Sequence, residues 1–316
     1  MTARMTEIAE METQMAALTS EAMSDTPKSV REALSGPNRA KWEPSMNAEV
    51  KGMREKNVFT EVPISRVPAG KTVFGSKILF KIKSDGGRKS RIVFQGNKQV
   101  EGRDYTETFA PVATAQSLRT LLAIVAAEDL ECINMDVEQA FLNAPLEEEI
   151  YMKPPVGIRS KNDTGEELVW KLNKAIYGLK QGSRAWYIKF KATLKKFGLV
   201  EISSDCCVFL HISTTDGTFL IVLVYVDDTV VISNDKTLLD EFRASIKKEF
   251  KMTDLGPLTK ILGMEVTRDR VRRTLEIRQT TQIQKMLETF GMSDCKPVST
   301  PMDKEPERSS AEEGSG

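Results

Sequence analysis

The sequence predicts an α+β fold on three observations. Residues 219–233 (FLIVLVYVDDTVVIS) set two apolar, β-branched runs around a pair of aspartates, the pattern of a tight β-hairpin whose reversal is made by Asp227 and Asp228. Residues 72–94 repeat the pattern around a turn at Asp85, Gly86 and Gly87. Stretches at 38–56, 117–127, 175–199 and 238–250 space their apolar residues by three and four, as helices with one buried face do.

Composition bounds the chemistry. The 316 residues suffice for a sizeable core and two or three subdomains. Forty-five basic residues balance 45 acidic ones, so charge bears on partners only through its local distribution. His211 is the single histidine, and Cys132, Cys206, Cys207 and Cys295 show no CxxC spacing, which disfavours zinc and histidine-based catalysis. Any metal then rests on carboxylates. The thiols are read as core residues in a reducing compartment. No apolar run approaches the ~18 residues of a membrane span and no signal core opens the chain. An intracellular protein with no membrane partner is expected, cytoplasmic with the nucleus left open.

Residues 1–40 are read as a loosely ordered extension, with one helical stripe at Ile8, Met11, Met15 and Leu18. Trp42, Met46, Val50 and Met53 form the packing face of the next helix, which leads into a strand at 58–62. In the hairpin at 72–94, Ile78, Phe80 and Ile82 share one face and Lys77, Lys81 and Lys83 the other. Lys71, Arg88, Lys89, Arg91 and Lys98 add to this charge, against the single acid Asp85. Such an imbalance suits nucleic acid or a nucleoside triphosphate; the plainer reading is a set of exposed lysines. Residues 102–112 form a loop from which no mechanism follows. A buried helix with Leu118, Leu121, Leu122 and Val125 inward then feeds a short strand at 131–135 that ends at Asp136.

Asp136 has two readings. By itself it is the N-cap of a capping box with Gln139, opening a helical turn that stops at Pro145, with Phe141 as plain core. In the other, an acid at a strand end completes a carboxylate set with the hairpin tip, and Phe141 sits beneath whatever the metals hold. Downstream, 175–199 opens with a glycine-punctuated turn and continues as a helix buried on Trp186, Phe190, Leu194 and Phe197. Lys180, Gln181 and Arg184 gather at its amide-rich start, which favours phosphate, and which an ordinary surface helix start also explains.

A strand at 207–212, in which His211 is structural, turns at Asp216-Gly217 into the acidic hairpin. Both hairpin arms are apolar almost continuously, so the hairpin is covered on both faces and holds two like charges at its tip. Such a pair raises its own pKa values or takes a hard divalent cation. An acidic surface turn is the alternative, and this stretch alone leaves both open. Leu238, Phe242, Ile246 and Phe250 mark a further helix, and Leu262-Gly263 falls in a strand context where glycine permits close backbone approach. A strand at 274–278 and a helix at 282–290 closed by Gly291 follow. Residues 301–316 are polar and acidic, a disordered tail.

As a set, these residues match a family. RIVFQGNKQVEGRDYTETFAPVATAQSLRTLLAI, INMDVEQAFLNAPLEEEIYMKPPVGI, LNKAIYGLKQGSRAWY, YVDDTVVIS, DLGPLTKILGMEV and the closing STP occur in order. The chain resembles the reverse transcriptase domain of Ty1/copia-type LTR retrotransposon polyproteins from about residue 42 to 301. The resemblance implies a right-hand polymerase domain over 41–300, with an antiparallel palm sheet backed by helices, the basic hairpin in the fingers, and a thumb that is absent or incomplete.

It also implies roles for particular residues. Asp136, Asp227 and Asp228 match the catalytic aspartates and, with the backbone carbonyl of Val137, the ligands of two Mg²⁺ ions, for which Mn²⁺ substitutes. Phe141 falls at the steric gate against the ribose 2′-hydroxyl. Gln181 and Gly182 match the segment that contacts the incoming nucleotide and the templating base, with Arg91, Lys77, Lys81 and Lys83 as further template or triphosphate contacts. Leu262 and Gly263 lie on the primer side. The implied partners are an RNA or DNA template with its primer, and dNTPs.

The chain departs from the family pattern at Gln95-Gly96-Asn97, at KQGSR and at Asn143-Ala144, and none of these touches the aspartates. With no integrase before it and no RNase H after it, the chain reads as a fragment or relic of a longer polyprotein, particle-associated where that element is intact. RNA-directed DNA polymerisation is the leading reading. A catalytically silent nucleic-acid-binding remnant is the second, and a nucleotide cyclase on a similar sheet is a remote third.

Overall fold

The computed structural model describes residues 26–83, 85–158 and 160–299. The expectations for residues 1–25, including the stripe at Ile8, Met11, Met15 and Leu18, and for 301–316 fall outside the described residues. Among these, six α-helices and four sheets make a mixed α/β fold, in two compact units, Met1–Leu258 and Thr259–Gly316.

The first unit begins with α1 (Val30–Ser35), where the Ser29 hydroxyl accepts the Glu32 amide. Ala33 is buried and Val30 and Leu34 pack on the core, so this part of the expected extension is ordered helix. α2 (Arg39–Glu55) buries Trp42, Met46, Val50 and Met53 as their spacing predicts. β1 (Phe59–Pro63) and β2 (Val73–Phe74) lead to β3 (Ser76–Ile82) and β4 (Arg88–Phe94), a two-stranded hairpin.

The register of that hairpin decides its faces. Ile78 lies opposite Ile92 and Phe80 opposite Ser90, while Lys81 lies opposite Lys89 and Leu79 opposite Arg91. The first set packs on α2, with the Trp42 and Phe80 rings 5.1 Å apart and the Ser45 and Ser90 hydroxyls bonded at 2.9 Å. The second set, cationic and led by the exposed Lys77, Lys81 and Lys89, is left on the opposite face.

α3 (Ala115–Ala127) is capped by the Thr114 hydroxyl and precedes β5 (Glu131–Val137) and a 3-10 helix at Ala140–Asn143. The capping-box reading of Asp136 is thereby corrected. Asp136 lies within β5, and the 3-10 helix starts at a left-handed Gln139 (φ 54°) without a side-chain cap. β6 (Tyr151–Met152) and β7 (Leu168–Leu172) complete a four-stranded sheet, order β1-β7-β6-β2.

The second half of this unit holds α4 (Gly182–Lys196), β8 (Val200–Ile202), β9 (Asp205–Ile212), β10 (Phe219–Tyr225), β11 (Asp228–Ser233), α5 (Lys236–Glu249) and β12 (Met252–Pro257). The six-stranded antiparallel sheet runs β12-β5-β11-β10-β9-β8, with α5 against β10 and β11. The core runs through Phe209, Val222, Val224 and Val231 of the sheet, Trp186 and Phe190 of α4, and Phe242 and Ile246 of α5. Each such side chain contributes about 1.5–3 kcal/mol by leaving water. Cys132 and Cys207 are core residues as expected, whereas Cys206 and Cys295 are exposed; strand alternation turns Cys206 away from its neighbour. No helix among the described residues is long and apolar enough to cross a membrane.

The second unit comprises β13 (Lys260–Ile261), β14 (Met264–Asp269), β15 (Thr274–Arg278) and α6 (Thr280–Thr289), whose first free amides are received by the Glu265 carboxylate. Leu262 and Gly263 form the reversal between β13 and β14, with φ of 51° and 77°. A Cβ on Gly263 would meet nothing within 4 Å, so this glycine serves a primed turn and not the close backbone approach expected of it.

Close approach occurs elsewhere, where the loop before α4 meets the end of β4. The Phe94 amide donates to the Tyr177 carbonyl at 2.8 Å, a Cβ on Gly178 would collide with the Phe94 carbonyl, and one on Gly96 would collide with the Gly178 carbonyl. Gly178→Ala is therefore expected to lower stability by on the order of 3 kcal/mol, from its φ of +90° and the collision together. Gly70→Ala, with φ of +84° and open space around it, is expected to lose only about 1 kcal/mol. Thermal unfolding followed by circular dichroism separates the two; equal losses would remove the packing argument.

Candidate active site

The site is built at one end of the six-stranded sheet. β11 lies against β5 so that Asp228 is directly opposite Asp136, which puts both carboxylates on one face of the sheet. β10 pairs Tyr225 with Asp228, so the two-residue reversal is Val226-Asp227 and not the aspartate pair that the sequence reading placed there. The physical reason is the backbone at Val226. Its φ of 58°, rare for a β-branched residue, closes the turn one residue early and releases Asp228 into the strand.

Such a conformation carries strain of about 1–3 kcal/mol and persists only where the surroundings enforce it. Here the Trp186 indole donates to the Val226 carbonyl at 2.6 Å, and the Val137 amide donates to the Asp227 carbonyl at 3.3 Å. Trp186 is itself fixed, 2% exposed and packed 5.0 Å from Phe190 and 5.2 Å from Phe250. Val137 enters the site through that amide; its side chain is buried.

Burial first, then Asp227 and Asp136, push the Asp228 carboxyl up to about 6. Burial and Asp227 also raise Asp136, against the opposing pull of Lys89 and Arg91. The donor set is all oxygen and half-buried, which fits a hard divalent cation. Among the described residues, however, the one group of three carboxylates or thiols with ligand atoms all within 4.8 Å is Asp205, Cys206 and Cys207. Asp205 there accepts the Thr114 and Cys207 amides and the Ser117 hydroxyl, a structural anchor for the start of α3. Asp136, Asp227 and Asp228 are not all within 4.8 Å of one another.

The residues named from sequence divide into those gathered at this site and those placed elsewhere. Phe141 lies on the 3-10 helix after β5, edge-on to Tyr177 with ring centroids 5.0 Å apart. Arg91 stands over the same Tyr177 ring, its guanidinium 4.7 Å from the centroid. Gln181 is 4% exposed: it accepts from Gln99 at 3.0 Å and donates to the Asp104 carbonyl at 3.1 Å, so its side chain ties two loops together. Gly182 is the buried first residue of α4. Lys77, Lys81 and Lys83 are exposed, with no ion pair among the described residues; Lys83 is felt by Lys89. Leu262 and Gly263 belong to the second unit.

Four contributors escaped the sequence reading of the site. Lys89 faces Asp136, and its alternation with Arg91 along β4 was the available signal. Glu49 of α2, whose carboxyl is raised by burial, accepts from Gln139 at 3.0 Å beside the 3-10 helix. Tyr177 and the Trp186 hydrogen bond are visible only in three dimensions.

Fold and site together define a mixed α/β domain with an acidic strand-end cluster facing cationic side chains. The reverse transcriptase (RNA-dependent DNA polymerase) family matches residues 57–304. The chain is 38% identical over 281 residues to the retrovirus-related Pol polyprotein from transposon TNT 1-94 of Nicotiana tabacum, covering 87% of this chain and 21% of that protein. It is 33% identical over 284 residues to the Pol polyprotein from transposon RE1 of Arabidopsis thaliana, covering 88% and 19%. A third relative, the transposon Ty1-H Gag-Pol polyprotein of Saccharomyces cerevisiae, is 28% identical over 211 residues, covering 62% and 11%. The chain belongs to the reverse transcriptase family, in its Ty1/copia branch, and spans about a fifth of the length of the first two relatives.

The raised Asp228 carboxyl has a measurable consequence. The folded protein keeps this proton up to about pH 6, whereas the unfolded chain releases it near the ordinary value of 3.8. Without divalent cation, stability therefore falls as pH rises through that window and stays lower above it. Asp228→Asn is expected to exceed wild type by on the order of 1–2 kcal/mol at about pH 7.5 and to match it at about pH 3.5, read by thermal melts in chelator. An unchanged difference across this range would contradict the electrostatic reading.

Proposed function

We propose that this chain is an RNA-directed DNA polymerase domain that adds deoxynucleotides to a primer 3′-hydroxyl on an RNA or DNA template. The observation that carries the reading is the strand register that sets Asp136 opposite Asp228, with Asp227 in the adjoining turn. In this reading residues 41–300 are the polymerase domain. The six-stranded sheet with α4 and α5 is the palm, and the β3–β4 hairpin belongs to the fingers.

Asp136 and Asp227 would hold a pair of Mg²⁺ or Mn²⁺ ions, with Asp228 as auxiliary ligand and the Val137 carbonyl as a further oxygen. When bound, two such ions lower the pKa of an attacking hydroxyl and neutralise a pyrophosphate leaving group. The half-burial of the aspartates keeps their charge poorly hydrated, so they bind cations in preference to repelling one another. Lys89 and Arg91 present fixed positive charge towards the carboxylates from the facing hairpin and orient the triphosphate. Lys77, Lys81 and Lys83 extend that field along template or triphosphate. Phe141 limits the space under the sugar and so disfavours a 2′-hydroxyl. Gln181 and Gly182 set the loop before α4 beside the incoming nucleotide, and Leu262 and Gly263 serve the primer side.

Extension of a DNA primer on an RNA template with dNTPs and Mg²⁺ tests this directly. Wild type is expected to extend, and Asp227→Ala and Asp228→Ala to lower the rate at least about a hundredfold while salt-sensitive template binding remains. Binding without extension by wild type would instead identify a silent nucleic-acid-binding remnant.

A further inference from the structure

Tyr177 lies at a junction that neither its sequence context nor the proposed catalytic set explains. Its ring meets Phe141 edge-on at 5.0 Å and carries the Arg91 guanidinium at 4.7 Å. Its backbone carbonyl is bound by the Phe94 amide at 2.8 Å, and the following Gly178 is pressed against the same strand end. The backbone at Tyr177 is thereby tied to the end of β4. Among the described residues its hydroxyl makes no hydrogen bond. Burial raises its phenol, Arg91 opposes that rise, and Asp227, Glu49 and Asp136 add to it.

We propose that Tyr177 is a positioning residue for nucleotide selection, coupling the wall formed by Phe141 to the cation Arg91 through their contacts with one ring. The inference rests on the polymerase reading, in which Phe141 lies under the sugar and Arg91 faces the triphosphate. The chemistry is that of aromatic geometry. An edge-on ring fixes the plane of Phe141, and the quadrupole of the same ring holds a guanidinium over it. With both held, a nucleoside triphosphate whose phosphates engage Arg91 brings its 2′-carbon to a fixed height above Phe141. Without the ring, either group moves independently, and a 2′-hydroxyl is accommodated at less loss of binding.

The test compares wild type, Tyr177→Leu and Tyr177→Phe in two assays on primed RNA template. One is single-nucleotide extension with dNTP or the matching rNTP in Mg²⁺, and the other is equilibrium binding of the same two nucleotides in Ca²⁺. Tyr177→Leu is expected to raise KM for dNTP with little change in kcat and to lower the dNTP-over-rNTP preference about tenfold in both assays. Tyr177→Phe, which keeps the ring, is expected to restore the preference. Retention of the binding preference by Tyr177→Leu, in protein whose circular dichroism matches wild type, would overturn the proposal, as would failure of Tyr177→Phe to restore it. Absence of dNTP extension by wild type would count against the polymerase reading alone, because the binding preference still decides the role of Tyr177.

Discussion

The register between β5 and β11 is the constraint on which the site depends. It sets two carboxylates that repel each other directly opposite, and a slip of one residue would send either to the far face of the sheet. That register is enforced by the reversal ahead of it. Had Asp227 and Asp228 formed the turn, Asp228 would stand outside the strand and Asp136 would have no opposite number. A left-handed valine avoids this, and a buried indole on α4 holds it there. The aromatic packing of Trp186, Phe190 and Phe250 is thus connected by one hydrogen bond to the placement of the acids. Strain of this kind, at a β-branched residue beside clustered charge, marks a place where folding stability has been given up for position.

A second constraint brings opposite charge to the same place. Trp42, Ser45 and the rest of the inner face of α2 take the apolar side of the β3–β4 hairpin, which leaves Lys89 and Arg91 on the side towards Asp136. The glycines at 96 and 178 let the strand end meet the loop before α4, and that loop delivers Tyr177 between Arg91 and Phe141. Gln99 bonds both Gln181 and the Lys180 amide of the same loop. Cations, carboxylates and the aromatic pair are therefore positioned by short-range backbone contacts between segments far apart in sequence.

Much of this was legible in the chain itself. Periodicity located the buried faces of α2, α3, α4 and α5 and the two hairpins, because burial on one face imposes a spacing that local composition records. The acidic motif and the strand before Asp136 were legible for the same reason. Three readings failed where the deciding force was not local. Asp136 looked like a helix cap because a capping box and a strand end followed by Glu-Gln share their residues, and only pairing with β11 and β12 separates them. The turn at the acidic hairpin was placed one residue late because propensity forbids a left-handed valine, and the Trp186 hydrogen bond that permits it is tertiary. Gly263 was read as a packing glycine because a strand interior and a primed turn are alike in sequence, and open space around its Cβ position distinguishes them. Tyr177 stood within the matching segment LNKAIYGLKQGSRAWY, but nothing there named its role, which lies in the two side chains its ring contacts.

Cation binding by the protein alone tests the central claim most directly. Mn²⁺ titrated into nucleotide-free protein, followed by water-proton relaxation, is expected to bind weakly, on the order of millimolar, because the shell lacks substrate oxygens. The combined Asp136→Asn and Asp227→Asn variant is expected to lose that binding, and Asp205→Asn, whose carboxylate receives the Thr114 and Cys207 amides and the Ser117 hydroxyl, to retain it. Coincident titration curves for wild type and the combined variant would contradict the account, for the facing register would then gather carboxylates without making them a cation site.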